Sequence, residues 1–221
     1  MAALAPLVRG SFQDHPLALR FAAEVLRVHR RYAGEVVARN QLCPFLRDVD
    51  TGFGRFCVML DVEPDVPTAL AAVLAADASV IHLVYPLNAS PPSPFEKFSG
   101  KLAESLKQNM RDAPVMATFH PGLPGDGSTQ SRLIGLLRHA PDPFVQLIPE
   151  GLHQGGTIYA GAADLEQTTT EGAVDPSEAN FAKMHGGLLE TIVALLAEIR
   201  ADRDRSYAPF LEAFAAAPRE N

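Results

Sequence analysis

The seven residues Ser79 to Tyr85, SVIHLVY, place the tightest limit on what this chain can fold into. Apart from His82 the run is apolar and rich in β-branched residues, without the alternation of a strand that has one wet face. It reads as a strand buried on both sides, which requires covering elements. From Leu17 the apolar residues Leu17, Phe21, Val25, Val28, Tyr32 and Val36 recur three or four apart, one face of a helix of about six turns. Asp14-His15-Pro16 marks its start. Arg55 to Val62 and Val115 to Phe119 read as further strands, and Phe144 to Ile148 as a fourth strand or an extended segment. Helices are expected from Thr68 to Ala76, from Ser93 to about Arg111, and from Ser131 to His139. A long one runs from Pro176 to about Arg205, and a last from Ala208 to Ala216.

This order predicts an α/β or α+β domain: a small three- to four-stranded sheet covered by helices, with long C-terminal helices. The expected boundaries are a flexible tail over 1–13, one globular domain over 14–217 and a tail over 218–221. Hydrophobic residues at 47% are enough for a core. A net charge of −7 argues against nucleic acid as a partner, and Glu24 and Glu35 interrupt the basic run of Arg27, Arg30, Arg31 and Arg39. The first residues lack the basic start and long apolar stretch of a signal peptide, and no apolar run is long enough to span a membrane. The expectation is therefore a cytoplasmic protein acting on a small molecule, away from membranes. The long C-terminal helices suggest a homodimer.

Two cysteines, with no CxxC, exclude a disulfide scaffold and a zinc ribbon. Cys57, inside a strand pattern, reads as core. Cys43 differs, because Pro44 follows it at the end of the long helix. Proline suits the first turn of a helix, so Cys43 would sit near a cap, where free N–H groups and the helix dipole favour thiolate. Downstream, His120 stands at the carboxyl end of a strand, where sites form in α/β folds. Cys43 and His120 are thus expected to share one site. Gly125-Asp126-Gly127-Ser128-Thr129 reads as a capped turn before a helix, or as a phosphate cradle without the lysine of a P-loop. His82 reads as a core histidine. His185-Gly186-Gly187 is unusual inside a helix, because glycine weakens it.

At Leu42-Cys43-Pro44-Phe45 and Phe119-His120-Pro121 the chain resembles a bacterial family catalogued as domain of unknown function 1415. The likeness runs from about Arg39 to Glu150 and implies that Cys43, His120 and Arg138 belong together, with Asp126 in its acidic loop and Arg132 as a further arginine. It departs from the family at Gly122-Leu123-Pro124, where aromatic residues are expected, and at Gln130-Ser131-Arg132-Leu133. The Cys-Pro pair also resembles the proximal ligand of heme-thiolate peroxygenases. That likeness implies a heme-dependent oxidoreductase with Cys43 as ligand, Pro44 and Phe45 beside it, His120 as distal acid/base group and Arg132 or Arg138 on a propionate.

Three alternatives accompany it. Cys43 could be the nucleophile of a transferase or hydrolase, with His120 as base and Arg138 holding an anionic group. Cys43, His120 and Asp126 could hold one transition metal. The protein could also be a small-molecule or partner-binding module without catalysis.

Overall fold

The computed structural model describes residues 5–43, 46, 49, 54–149 and 176–217. Its strands are β1 (Leu7–Arg9), β2 (Arg55–Met59), β3 (Ile81–Val84), β4 (Val115–Phe119) and β5 (Phe144–Ile148). They form one open sheet in the order β1-β2-β3-β5-β4. β1, β2 and β3 are parallel, and β5 is antiparallel to both β3 and β4. β4 therefore points the same way as the first three strands. The carboxyl ends of these four strands and the start of β5 share one edge of the sheet.

The helices are α1 (Ala18–Arg31), which widens into a π segment over Tyr32–Ala38, α2 (Val66–Ala75), α3 (Pro92–Asn109) and α4 (Gln130–Leu137). α5 (Pro176–Lys183) leads through a second π segment, Met184–Leu188, into α6 (Leu189–Ala216). No helix among the described residues is long and apolar enough to cross a membrane.

The two sheet faces carry separate cores. On one, Phe56, Val58, Val84 and Phe144 meet α1, α4 and α6. On the other, Cys57, Met59, Ile81, Leu83 and Leu147 meet α2 and α3. The apolar run around β3 is thus buried on both sides, as its sequence requires. His82 is buried, with its ring stacked 6.2 Å from Phe56 and 5.7 Å from Phe144, and Cys57 is fully enclosed.

Three differences from the sequence reading have physical reasons. Leu7–Arg9, placed in the tail, instead pair with β2 as the edge strand, and three residues are too few to show alternation. The sheet consequently has five strands rather than three or four. The break expected between Arg205 and Ala208 is absent, because α6 continues through Pro209. Tyr207, Phe210 and Phe214 all pack on Phe21 of α1, with ring centroids 5.0 to 5.4 Å apart, and this aromatic packing holds the helix despite the proline. The interruption falls earlier, at Gly187, whose φ of +105° suits glycine.

Asp142, between two prolines at the entry to β5, is fully buried. Its Oδ2 lies 3.0 Å from His29 Nε2 of α1 and accepts from the Tyr207 hydroxyl at 2.9 Å. Its Oδ1 accepts from Arg203 Nε at 3.0 Å, and Arg203 also donates to the Pro86 carbonyl. Burial alone would raise the Asp142 carboxyl, but the bonds and charges of His29, Arg203 and Tyr207 together hold it below the usual carboxylate range. On the surface, Arg27 and Arg31 of α1 both reach Asp202 of α6, an exposed bridge of small weight.

Replacing Asp142 by alanine leaves Arg203 without its buried counter-ion and is expected to cost about 3–5 kcal/mol, with Tyr207→Phe costing about 1–3 kcal/mol. Because the folded carboxyl is depressed, its contribution is complete above the unfolded carboxylate range and is lost as pH falls through the folded value. Urea unfolding at falling acidic pH should therefore show a steeper loss for the wild type than for Asp142→Asn.

Candidate functional site

The edge that gathers the carboxyl ends of β1 to β4 also carries polar side chains, among them His120, Asp142 and Asp61. A cleft of about 200 Å³ opens there between α6 and the segments flanking α4. Leu136, Val193, Leu196 and Ile199 form its apolar wall. Tyr32, His139 and Arg200 supply its polar groups, and among the described residues its lining includes no acidic side chain. His139 Nε2 meets the Leu123 carbonyl at 2.5 Å. A carbonyl only accepts, so Nε2 holds the proton and Nδ1 is left as an acceptor. Arg200 is exposed and forms no ion pair with a described residue.

Tyr32 joins this cleft to two residues singled out by the sequence. Its hydroxyl donates to the Leu137 carbonyl at 2.5 Å. Burial holds its phenol well above the ordinary value, with the Arg138 charge acting downward and Cys43 upward. The charges of Cys43 and Arg138 thus both act on this hydroxyl, although 95 positions separate them in the sequence. Cys43 is half-buried and follows Leu42, which packs in the same core as Tyr32 and whose carbonyl accepts from Asn180 at 2.7 Å. The Arg138 guanidinium lies over the Phe119 ring, 5.8 Å from its centroid.

His120 is placed differently. Phe119 stacks on Phe144 at 4.2 Å within the α1/α6 core. One residue on, the chain alternation turns His120 to the other face, where its ring lies 5.8 Å from Phe95 of α3. Nδ1 accepts from the Gly122 N–H at 3.0 Å, and Nε2 donates to the Ser90 carbonyl at 3.0 Å. Both ring nitrogens serve the backbone, so this histidine pins two loops together. Burial, the largest influence, lowers its pKa.

Leu42, beside Cys43, packs in the α1/α6 core, while the His120 ring packs toward α3 with both of its nitrogens bonded to the backbone. Arg132 is also committed elsewhere. Its Nε donates to Asp126 at 2.7 Å, while the other Asp126 oxygen accepts from the Ser128 N–H, and Thr129 caps α4. The Gly125–Thr129 loop is thus a capped turn. Asp126 is consumed there, and among the described residues no three His, Cys, Asp or Glu side chains converge as a metal site. Pro44 and Phe45 lie outside the described residues.

The described residues do not by themselves build a heme site. The distal role falls to a histidine with both nitrogens engaged. Cys43 does not line the cleft, whose volume is below the roughly 300–1,000 Å³ of ordinary ligand pockets.

Sequence reasoning left open whether His139 joins the site, and it missed Arg200 and the Asp142 cluster. Signals existed: His29 falls on the apolar face of α1, Arg203 and Tyr207 stand four apart on one helix face, and Asp142 lies between prolines.

With its folded pKa depressed, His120 contributes stability that is complete above the unfolded histidine value of about 6.5 and is lost as pH falls toward the folded one. Chemical denaturation of the wild type should show this loss between neutral and mildly acidic pH. His120→Asn, which keeps an acceptor for Gly122, should show a flatter profile.

No protein-family model, no curated protein and no solved structure matches this chain.

Proposed function

We propose that this protein binds a small organic anion, a carboxylic acid or phosphate monoester with a short apolar body, in the cleft between α6 and the strand-end loops. The observation that carries this is a cleft lined by Arg200, His139 and Tyr32 with no acidic side chain among the described residues, in a protein whose net charge is −7. Positive charge concentrated against an acidic background selects anions. The Arg200 fork suits a carboxylate or phosphate, while Leu136, Val193, Leu196 and Ile199 offer the apolar wall.

Calorimetry with a series of straight-chain monocarboxylates, and with inorganic phosphate, tests this reading. Each added methylene should strengthen binding about fourfold until the cleft is full, following about 0.8 kcal/mol per buried CH₂. Arg200→Gln should weaken it by about 10- to 100-fold, as expected for one charge-assisted bond. Binding indifferent to Arg200, or absent for every acid tried, would refute it.

A second reading keeps Cys43 as a nucleophile acting on a substrate whose anionic group is held by Arg138. It is favoured by a half-buried thiol whose charge, like that of Arg138, acts on the Tyr32 hydroxyl. The likeness to domain of unknown function 1415 supports looking there and brings no activity with it. Iodoacetamide separates the two thiols of the native protein. Cys57 is enclosed and burial pushes its thiol up to about 11, so it should stay unmodified until denaturant is added. Cys43 should be alkylated in the native state, as mass mapping would show. A native Cys43 that resists alkylation removes this reading.

A further inference from the structure

On the other face of the same sheet edge, two buried oxygens have no hydrogen-bond partner among the described residues: Asp61 Oδ2 and the Tyr85 hydroxyl. Asp61 follows β2 and is 7% exposed, and Tyr85 follows β3 and is 0% exposed. β2 and β3 are adjacent parallel strands in which Cys57 lies opposite Leu83. Continuing that register brings Tyr85 beside Met59, with Asp61 one pleat further on the same face. The carboxylate is close enough that, after burial, it is the next influence holding the Tyr85 phenol well above its ordinary value.

The other carboxylate oxygen is fully used. Asp61 Oδ1 accepts from the Ser11 N–H at 2.8 Å and from the Ser11 hydroxyl at 2.7 Å. The β1–α1 loop lies so close that a Cβ on Gly10, itself at φ +103°, would run into the carboxylate. Neither donor carries charge, and no cationic side chain among the described residues pairs with Asp61. A buried carboxylate with only neutral donors lacks a counter-charge, and buried charges are ordinarily paired or ligate a cation.

We propose that Asp61 Oδ2 and the Tyr85 hydroxyl oxygen are two ligands of a monovalent cation, sodium, potassium or ammonium, at the carboxyl ends of β2 and β3. One carboxylate balances one positive charge. Hard oxygen donors suit an alkali cation, and no set of three His, Cys, Asp or Glu side chains converges among the described residues to hold a transition metal. Asp65, whose charge also reaches Tyr85, has its Oδ2 committed to Thr68 as the cap of α2. The bound ion would fasten the β1–α1 loop to the ends of β2 and β3. This site is independent of the anion cleft.

Thermal melts of the full chain in sodium, potassium, ammonium and tetramethylammonium chloride, at one ionic strength and one chloride concentration, test the proposal. At least one small cation should raise Tm by about 3–8 °C over tetramethylammonium, which is too large to enter. Asp61→Asn should abolish the difference, since its amide can serve Tyr85 without an ion, and Tyr85→Phe should reduce it. Arg200→Gln should leave it intact. Sodium NMR relaxation of the wild type, reversed by a competing cation, reads the same site without any variant. Identical melts in all four salts, with no sodium relaxation, would overturn the proposal in favour of an ordinary buried water between the two oxygens. So would a cation effect that survives Asp61→Asn.

Discussion

The Asp142 carboxylate is the point through which the helical layer on one face of the sheet is fixed to the strands. It touches α1 through His29, α6 through Arg203 and Tyr207, and it sits in the backbone that enters β5. A fully buried carboxylate has a large desolvation cost, so its geometry must be met on every side or the charge is expelled. That requirement makes the arrangement specific: α6 can approach α1 in only the registers that bring Arg203 and Tyr207 to the same acid. The aromatic cluster of Phe21 with Tyr207, Phe210 and Phe214 supplies area, and the carboxylate supplies register. The wall of the cleft follows, because Ile199 and Arg200 precede Arg203 on the same helix.

The alternation of a strand determines which of the remaining residues can cooperate. Phe119 and His120 are neighbours in sequence, yet the first belongs to the α1/α6 core and the second to the α3 side. A short motif such as Phe-His-Pro therefore contributes to both faces at once. Arg138 shares the side of Phe119, and Tyr32 lies in the core with it. Phe119, Arg138 and Tyr32 thus fall on one side of the sheet and the His120 ring on the other. His120 works as a clamp between the Ser90 and Gly122 loops, a task that needs a neutral ring with one donor and one acceptor.

Much of the fold was legible because it rests on periodicity. The run around β3 demanded covering on two faces, and the three- and four-residue spacing from Leu17 gave α1 its buried side. What periodicity does not carry was lost. β1 is too short to show a pattern, and the continuation of α6 through Pro209 depends on partners nearly 200 residues away in the chain. The site was read less well for a related reason. Residue chemistry drew attention to Cys43 and His120, but which face a side chain occupies at the end of a strand depends on where that strand begins. Arg200, by contrast, was visible in principle as a charge beside Leu196 and Ile199 on a helix that needed an apolar side.

The sheet also explains how one edge can hold two regions of opposite electrostatic character. Where parallel strands end, the ladder stops and side chains take over the satisfaction of polar groups. On the α1/α6 side the outcome is a cleft whose charged lining residue is Arg200. On the α2/α3 side it is the buried Asp61 carboxylate and Tyr85 hydroxyl, with Gly10 of the β1–α1 loop against the carboxylate. Between them lies a layer of apolar side chains from β2, β3 and β5, which keeps the two charges from neutralising each other directly. A guanidinium and a carboxylate separated in this way have no claim on each other, so the two proposed ion sites stand or fall independently.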